Sequence, residues 1–536
     1  MSEQISNWTT AHEKNVEDAI RRGATRRELL NMLMFGGLAT VAGIGLLDNA
    51  TSAVAATPKR GGSIKVAAWN SSTAETLDPA KASLPIDHMR CASVYNRLTF
   101  LGEDGETNME LAESIDTRDA KVWTVKLRKG ITFHDGKSLT SADVIFSLKR
   151  HLDPAVGSIV NTIAKQMTGF NAVDDHTVEI TLATPNADLP TILAINQFQI
   201  VADGTTDFSK GNGTGPFISK VFEPGVRSVA ERNPNYWKPD LPYLDSFELI
   251  AISDDTARVN ALLSGDVQLA GRLNPRSLPL LDNQPNVKIV KWLPGNYTDL
   301  NSRLDMDPGN RAGFATGIKY LFNRELIQKS VLRGLAEIAN DQPIGPTNVY
   351  HNKDLKPKPY DPDKAKFHFK TAGVLGTPIP IITSEAAVSA IDFATVLQQA
   401  GDEIGMKFDV KRVPSDGYWS NYWLKAAVHF GNLQTRPTPD IIFSLLYTSD
   451  APWNESHYHS EKFDKMLLEA RGMLDRNKRK EIYGEMQVMI SEEAGTAIPV
   501  FMSNIDAMSS KLQGLKANPL GGLMGFAFAE YVWLEG

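Results

Sequence analysis

The stretch Lys121-Val-Trp-Thr-Val-Lys-Leu-Arg-Lys-Gly-Ile-Thr-Phe-His-Asp-Gly-Lys-Ser-Leu-Thr-Ser-Ala-Asp-Val-Ile-Phe-Ser-Leu148 is the most informative part of this chain. Its first seven residues alternate between apolar and polar, which is the pattern of a half-buried strand. Thr140-Ser-Ala-Asp143 is typical of a helix start, and Val144, Phe146 and Leu148 begin an apolar helix face. The stretch therefore predicts a strand that is followed by a turn and a helix.

Further strands and helices are predicted on both sides of this stretch. The helical stripes lie in the C-terminal half, where they alternate with strands, so that half is predicted to be α/β. Strands are predicted at residues 63–69, 177–182, 227–231, 247–252, 287–292, 406–410 and 439–446, and helices at residues 384–404, 463–474 and 479–493.

The length of the chain indicates how many domains to expect, and its charge argues against one class of partner. The chain has 536 residues, too many for one hydrophobic core, so two or three domains are expected. The formal net charge is −7, and no basic run or stripe is present, which argues against nucleic-acid binding.

The N-terminus has the pattern of an export signal. Thr25-Arg-Arg-Glu-Leu-Leu-Asn31 leads into nineteen uncharged residues, 29–47, and Ala53-Val-Ala55 offers a small-residue cleavage site. The motif resembles the twin-arginine signal, which implies export of an already folded chain. A permanent membrane anchor is the alternative, but glycines dilute the apolar segment and no basic stop-transfer cluster follows it.

Cys91 is the single cysteine of the chain. It allows no internal disulfide, so stability must come from packing. It also lies far downstream of the apolar segment, where it cannot serve as a lipidation site. We therefore expect a mature protein that is free in the periplasm, cleaved near Ala55 and without a lipid anchor.

Four ordered stretches between about Gly61 and Phe501 resemble the family 5 extracytoplasmic solute-binding proteins of ABC importers, the dipeptide/oligopeptide-binding type. The stretch at 111–148 looks like the signature segment of that family. The others are Gly213-Thr-Gly-Pro-Phe217 with Glu231-Arg-Asn-Pro-Asn-Tyr-Trp237, Ala261-Leu-Leu-Ser-Gly-Asp-Val267, and Tyr360-Asp-Pro-Asp-Lys-Ala-Lys366 with Leu474-Asp-Arg-Asn-Lys-Arg-Lys-Glu-Ile-Tyr483.

This resemblance implies an α/β fold of the periplasmic-binding-protein type (cluster C), with two lobes, hinge strands and an extra inserted domain. A signal peptide at 1–55 would precede a discontinuous domain I. The implied boundaries are 57–98, 211–299 and 500–536 for domain I, 99–210 for domain II and 300–499 for domain III. The lobes would close over a ligand at their interface.

The resemblance also implies the function and the partners. The chain would bind a peptide or similar small solute, without a cofactor and as a monomer, and deliver it to an ABC permease and its ATPase. Oligosaccharides, opine-like conjugates, nickel complexes and haem are alternative ligands within this class. An exported hydrolase or glycan-processing enzyme is the alternative function, but the sequence shows neither the H-E-x-x-H nor the G-x-S-x-G motif. His457-Tyr-His459 has no third residue spaced to complete a metal site, so no metal is expected.

The candidate ligand contacts follow the predicted strand at 439–446. In peptide-binding relatives, an aromatic-x-x-Asp at this place sets a carboxylate against the ligand's ammonium, which implies that role for Tyr447 and Asp450, with Trp453 and Asn454 beside them. A turn or helix-capping role for Asp450 is the alternative.

Other candidates lie elsewhere in the chain. Trp69 and Asn70 end the first strand, where relatives meet the ligand, although a core tryptophan beside a loop asparagine is an equal reading. Trp419 and Trp423 are spaced i, i+4 and could form a stacking surface, or else part of the core. Tyr297 is a further candidate in the hinge-like Gly295-Asn-Tyr segment.

Overall fold

The computed structural model describes residues 57–519 and 521–535. Arg60–Leu534 form one compact unit, and the described residues outside it, Thr57 to Lys59 and Glu535, are exposed. The predicted signal peptide, its twin arginines and its cleavage site lie outside the described residues. None of the helices in the described part is both long and apolar enough to cross a membrane.

Most of the described strands join one mixed sheet of twelve strands. The described strands are β1 (Ser63–Ala68), β2 (Thr99–Leu101), β3 (Thr107–Met109), β4 (Ala112–Thr117), β5 (Val122–Leu127), β6 (Met167–Asp174), β7 (Thr177–Leu182), β8 (Phe217–Glu223), β9 (Arg227–Arg232), β10 (Ser246–Ala251), β11 (Leu269–Leu273), β12 (Val287–Ser302), β13 (Ala336–Ile338), β14 (Pro378–Thr383), β15 (Lys407–Arg412), β16 (Val428–Leu433), β17 (Thr496–Ala497), β18 (Val500–Ser509), β19 (Leu512–Gln513) and β20 (Trp533–Leu534). The main path of the large sheet runs β15-β14-β16-β12-β18-β11-β1-β10-β9-β8, while β13 pairs with β18 and β17 with β12.

The described part of the chain also contains helices of eight or more residues. They are α1 (Pro85–Val94), α2 (Ser141–Arg150), α3 (Asp255–Ser264), α4 (Phe314–Leu321), α5 (Pro362–Thr371), α6 (Ala390–Ile404), α7 (Pro439–Leu446), α8 (Glu461–Gly472) and α9 (Arg476–Glu493). Shorter turns of helix lie at Asn161–Ala164, Leu189–Ile192, Leu278–Leu281, Arg324–Leu326, Tyr418–Asn421 and Phe528–Tyr531.

We call the end of the large sheet that contains β8, β9, β10, β1 and β11 the first lobe, and the end that contains β16, β14 and β15 the second lobe. In the first lobe β1 is parallel to both β10 and β11, and in the second lobe β14 is parallel to both β15 and β16. The long strands β12 and β18 are antiparallel partners in the middle and connect the two ends. Separate clusters of buried apolar side chains fill the first lobe and the second lobe.

A second sheet, β4-β5-β7-β6, is antiparallel and has its own core, which includes Trp123, Val125, Val178 and Ile180. The strand and helix predicted from the stretch at 121–148 become β5 and α2. Thr140 caps α2, because Asp143 Oδ2 accepts hydrogen bonds from the Thr140 backbone N–H at 2.8 Å and from its hydroxyl at 2.9 Å. This sheet lies within the range implied for domain II, although the domain boundaries themselves stay predictions.

One predicted strand is wrong. Residues 439–446 form helix α7, with Pro439 at its first turn and Thr438 as the cap that accepts a hydrogen bond from Ile441 N at 3.3 Å. Proline and threonine at these positions favour a helix start, whereas a short apolar run by itself fits either a strand or a buried helix. The predicted strand at 287–292 is also too short, because β12 continues to Ser302.

Candidate functional site

A cavity of about 430 Å³ lies in the middle of the large sheet, between the two lobes. Both lobes contribute walls: Trp69 and Arg272 come from the first, and Arg436 from the second. The lining residues are Trp69, Asn70, Ser83, Leu84, Pro85, His88, Asn196, Gln197, Arg272, Trp292, Pro294, Asn296, Gln434, Thr435, Arg436, Asn504, Gly521, Gly522 and Phe526.

The two central strands leave room for the cavity because their pairing is interrupted there. The register of β12 against β18 shifts between Trp292 and Asn296, in the segment that contains Pro294. Proline cannot donate a ladder hydrogen bond, and Gly295 has a φ of 81°, so the strand bulges at this point. Trp292 and Asn296 on either side of the bulge reach the cavity wall.

The position of the Trp69 ring depends on two neighbouring glycines, because a side chain at either would crowd it. A methyl group on Gly271 would lie 2.0 Å from Trp69 Cζ3, and one on Gly522 would lie 3.2 Å from its Cη2 atom. The indole is 5% exposed, and its Nε1 has no hydrogen-bond partner among the described residues. Since an indole N–H can only donate, it is available to an acceptor in the cavity.

Arg272 is held at the end of β11 by a buried carboxylate. Asp506 accepts hydrogen bonds from the backbone N–H groups of Arg272 at 2.7 Å and Leu523 at 2.8 Å. Both residues have left-handed backbones, with φ values of 46° and 52°. Burial raises the pKa of Asp506 to about 6. No described group accepts a hydrogen bond from the Arg272 guanidinium, whose pKa is lowered by burial.

Left-handed backbone is concentrated around this cavity. Asn70 and Phe526 on its walls have φ values of 55° and 76°, and Leu523 and Met524 lie just behind it at 52° and 59°. Such conformations are costly for residues with a side chain and persist where the surroundings enforce them, which is common at binding sites.

Arg436 lies in the loop that follows β16. Its Nη1 donates to the carbonyl oxygens of Gln434 at 3.0 Å and Thr435 at 3.2 Å. Thr435 N in turn donates to Asn296 Oδ1 at 2.8 Å, which fixes the loop to β12. Burial lowers the pKa of Arg436 as well, but a guanidinium keeps its proton in proteins.

His88 lines the opposite side, on α1. Its ring lies 5.2 Å from that of Phe526, and its Nδ1 has no partner among the described residues. Burial, with a smaller contribution from the charge of Arg97, lowers the pKa of His88 to about 4, so the ring is neutral near pH 7. Two residues further along α1, Arg90 anchors the helix: it pairs with Glu75 at 2.6 Å and donates a hydrogen bond to Ser228 at 2.5 Å.

The residues predicted as ligand contacts divide into separate groups. Trp69 and Asn70 line the cavity. Asp450 is exposed in the turn after α7, outside the cavity lining, and Asn454 braces the same loop through hydrogen bonds with the backbone of Tyr458. Ligand contact by all four residues stays a prediction; the positions of Trp69 and Asn70 support it, and those of Asp450 and Asn454 do not.

Trp419, Trp423 and Trp453 form a row of edge-on rings in the second lobe, with centroids 5.5 and 5.7 Å apart. Trp419 and Trp423, spaced i, i+4 in the sequence, do not share a helical face, because the helix covers only Tyr418–Asn421 and ends before Leu424, which has a φ of 63°. Trp419 is 41% exposed, whereas Trp423 Nε1 donates to the buried Glu455 Oε1 at 2.5 Å.

Glu455 and Asp299 form a buried carboxyl pair beside this row. A methyl group on Gly431 would lie 1.9 Å from Glu455 Oε1 and 2.6 Å from Asp299 Oδ1, so both carboxyl groups converge on that glycine. Burial raises the pKa of Asp299 to about 6. Burial and the neighbouring Asp299 raise the pKa of Glu455 well above its usual range. Glu455 therefore keeps a proton that it can donate to Asp299.

Tyr297 and Tyr447 belong to the same region of the second lobe and are almost fully buried, at 1% and 2% exposed. Tyr297 packs edge-on against Phe501, and Tyr447 against Phe443, with ring centroids 6.1 and 6.4 Å apart. Neither tyrosine lines the cavity. Their positions support a role in the core of the second lobe.

Sequence reasoning missed His88, Arg272, Trp292, Arg436 and Phe526. No short motif marks any of them, and they come from five different segments. Residues 57–519 and 521–535 contain no group of three His, Cys, Asp or Glu side chains placed to hold a metal ion.

Comparison with known proteins gives a consistent result. Residues 106–455 match the family described as "Bacterial extracellular solute-binding proteins, family 5 Middle". The chain is 26% identical over 490 residues to "Di/tripeptide-binding protein 1" of Pseudomonas aeruginosa (strain UCBPP-PA14), covering 83% of this chain and 90% of that protein. It is 27% identical over 472 residues to "Heme-binding protein A" of Haemophilus influenzae, covering 80% of this chain and 85% of that protein.

A solved structure agrees with the fold. The structure of HbpA2 from Haemophilus parasuis matches with a TM-score of 0.80 at 20% identity, over 89% of this chain and 100% of that one. At this identity the likeness concerns the fold, and it confirms the predicted two-lobed α/β architecture of the periplasmic-binding-protein type.

Proposed function

This chain belongs to the bacterial extracellular solute-binding proteins, family 5, and from that premise we propose that it captures a small solute in the cavity between its two lobes. The function class predicted from the sequence, the solute-binding component of an ABC importer, is confirmed by the family and its relatives. The position of the cavity is the observation that carries the proposal for this particular site.

The cavity lies where two lobes meet on shared strands. Because β12 and β18 run through the middle of the sheet, a change in their twist would move Arg436 relative to Trp69 and Arg272. A solute that contacts both walls would favour the closed arrangement, since only that arrangement makes both sets of contacts.

The family consists of binding proteins and not of enzymes, and the hydrolase alternative has no support among the relatives. We propose that this chain performs no chemistry on its ligand. Among the described residues, the cavity lining contains no aspartate, glutamate, cysteine or lysine. An acid–base pair or an activated nucleophile of the kind hydrolases use would have to come from such residues or from a histidine and serine in contact.

The relatives are named for different ligands, di/tripeptides and haem. We propose a peptide or similar small solute for this chain, with opine-like conjugates and oligosaccharides as the other classes to test. Nickel complexes and haem remain alternatives within the same family.

We expect Trp69→Ala to weaken solute binding by about tenfold or more, because a buried aromatic wall of a site carries a large share of the binding energy. Titration calorimetry would measure the dissociation constant for any solute that raises the melting temperature of the wild type. Trp419→Ala is the matched control, since Trp419 lies outside the cavity and is 41% exposed. Equal losses in the two variants, or none in either, would place the binding site elsewhere.

We further propose that the chain is exported to the periplasm through its twin-arginine segment, is cleaved near Ala55 without lipidation, and serves an ABC permease and ATPase as a monomer. We expect the periplasmic protein to begin at Ala56. N-terminal sequencing and intact mass of the protein from a periplasmic fraction would check this. An intact chain of 536 residues recovered from membranes would contradict it.

A further inference from the structure

We propose that the solute is a small organic acid without a free ammonium group, and that Arg272 and Arg436 bind its carboxylate together. This inference rests on the proposed function, because it concerns the same cavity. It goes beyond that function by assigning the charge of the solute, and it replaces the ammonium contact expected at Asp450.

The charges on the cavity wall are of one sign. Within residues 57–519 and 521–535, Arg272 and Arg436 are the charged residues that line it, and no carboxylate belongs to the lining. Asp506 is the acidic neighbour of Arg272, but its two oxygens accept hydrogen bonds from the backbone of Arg272 and Leu523. Its carboxylate therefore holds the loop and is not part of the lining, although its charge also acts on the Arg272 guanidinium.

The two guanidiniums come from opposite lobes. Arg272 is on β11 of the first lobe, and Arg436 follows β16 of the second. Arg436 Nη1 is held by two carbonyl groups, whereas no described residue accepts a hydrogen bond from the Arg272 guanidinium. A carboxylate can accept several charge-assisted hydrogen bonds at once, so an anion held by both arginines would draw the lobes together.

Neutral donors on the wall point to the same chemistry. Trp69 Nε1 is buried without a partner, in a side chain that is 5% exposed. His88 Nδ1 is also buried without a partner. The indole can donate to an oxygen of the solute, and His88 can do so in the tautomer that carries its proton on Nδ1; Trp69, Trp292 and Phe526 supply apolar surface for the rest of the solute.

An ammonium group would find neutral amide oxygens but no carboxylate in the described lining of the cavity. A buried cation needs a carboxylate or several acceptors to offset the loss of its hydration, and here it would face two arginines. An N-blocked peptide or another acid without an amine avoids this cost.

The experiment uses three acids, each paired with its own neutral amide, and one amine: N-acetylphenylalanine, hippurate and indole-3-acetate with their amides, and phenethylamine. We expect the acids to bind better than their amides by about tenfold or more, and phenethylamine to bind most weakly. Arg272→Gln and Arg436→Gln should each weaken binding of the acids about tenfold or more and remove most of the preference over the amides. Arg276→Gln is the control, because Arg276 is exposed three residues beyond β11.

A second measurement does not depend on finding the right scaffold. Iodide should quench the tryptophan fluorescence of the wild type more than that of the Arg272→Gln/Arg436→Gln double variant, while quenching by neutral acrylamide stays the same. Equal iodide quenching in the two proteins would overturn the proposal, as would amides or amines that bind as tightly as the acids.

The two proposals fail in different ways. Binding that depends on Trp69 but ignores charge contradicts the anion inference alone. Binding of the acids that is unchanged by Trp69→Ala contradicts the proposed site, and the anion inference falls with it.

Discussion

Gly271→Ala is expected to cost about 1–3 kcal/mol of unfolding free energy, as overpacking of a filled site does, and to weaken solute binding in the cavity. The new methyl group would lie 2.0 Å from Trp69 Cζ3, 2.7 Å from its Cε3 and 3.1 Å from Leu523 Cδ1. The indole must therefore move from the wall of the cavity, or β11 must shift and carry Arg272 with it. Chemical denaturation and titration calorimetry would measure the two effects.

Two further variants test whether the clash between the new methyl group and Trp69 causes these losses of stability and binding. In Gly271→Ala/Trp69→Phe the smaller ring removes the atoms that clash, so the double variant should be more stable than the sum of the single effects predicts. Gly484→Ala is the control, because Gly484 lies within α9 and its added methyl would approach no described atom closer than 3.5 Å. That change should leave binding unaltered and stability equal or higher. Additive effects in the double variant would show that the contact with Trp69 is not the cause.

Glu455→Gln is expected to make the protein more stable than wild type, by an amount that increases with pH. A buried acid whose pKa is raised in the folded protein holds its proton there more tightly than in the unfolded chain. Its contribution to the free energy of unfolding is complete below the pKa that the group has in the unfolded chain, near 4. That contribution is lost as the pH rises toward the pKa that the group has in the folded protein. For Asp299 that loss extends to about pH 6, and for Glu455 it continues further.

The glutamine would preserve both hydrogen bonds, donating to Asp299 and accepting from Trp423, without a proton to lose. The stability difference from wild type should therefore grow between pH 5 and pH 8 by up to about 1.4 kcal/mol per pH unit. Denaturant titrations at several pH values would measure it, with Glu461→Gln as the exposed control. A difference that stays constant with pH would mean that Glu455 does not retain its proton.

The sequence predicted regular elements well where the pattern was local. Alternation in β5 and β7 and the capping residues of α2 depend on neighbours a few positions apart, and these elements lie where they were expected. The run at 439–446 fits either a strand or a helix because it is short and almost entirely apolar, and the prediction of a strand there is wrong. In that case the capping threonine and the first-turn proline carried the decisive information.

The site was predicted less completely because its residues meet only in three dimensions. Trp69 and Asn70 could be proposed from the end of a strand, but Arg436 becomes significant only through its place opposite Arg272 across the central strands. In the same way, Asp299 and Glu455 become a pair only because Gly431 leaves space between distant segments. The resemblance to the family implies a ligand contact at Asp450, after α7. The residues of this region that line the cavity lie before α7 instead, at 434–436.

The turn at Gly521–Phe526 completes the floor beneath Trp69, although most of the chain separates the two in sequence. A ribosome must therefore have synthesised the chain as far as Phe526 before the complete cavity can exist. A nascent or prematurely terminated chain would lack the left-handed turn and the Leu523 N–H that Asp506 holds. If the chain is exported after folding, solute binding in the cytoplasm would distinguish finished molecules from incomplete ones before they reach the membrane.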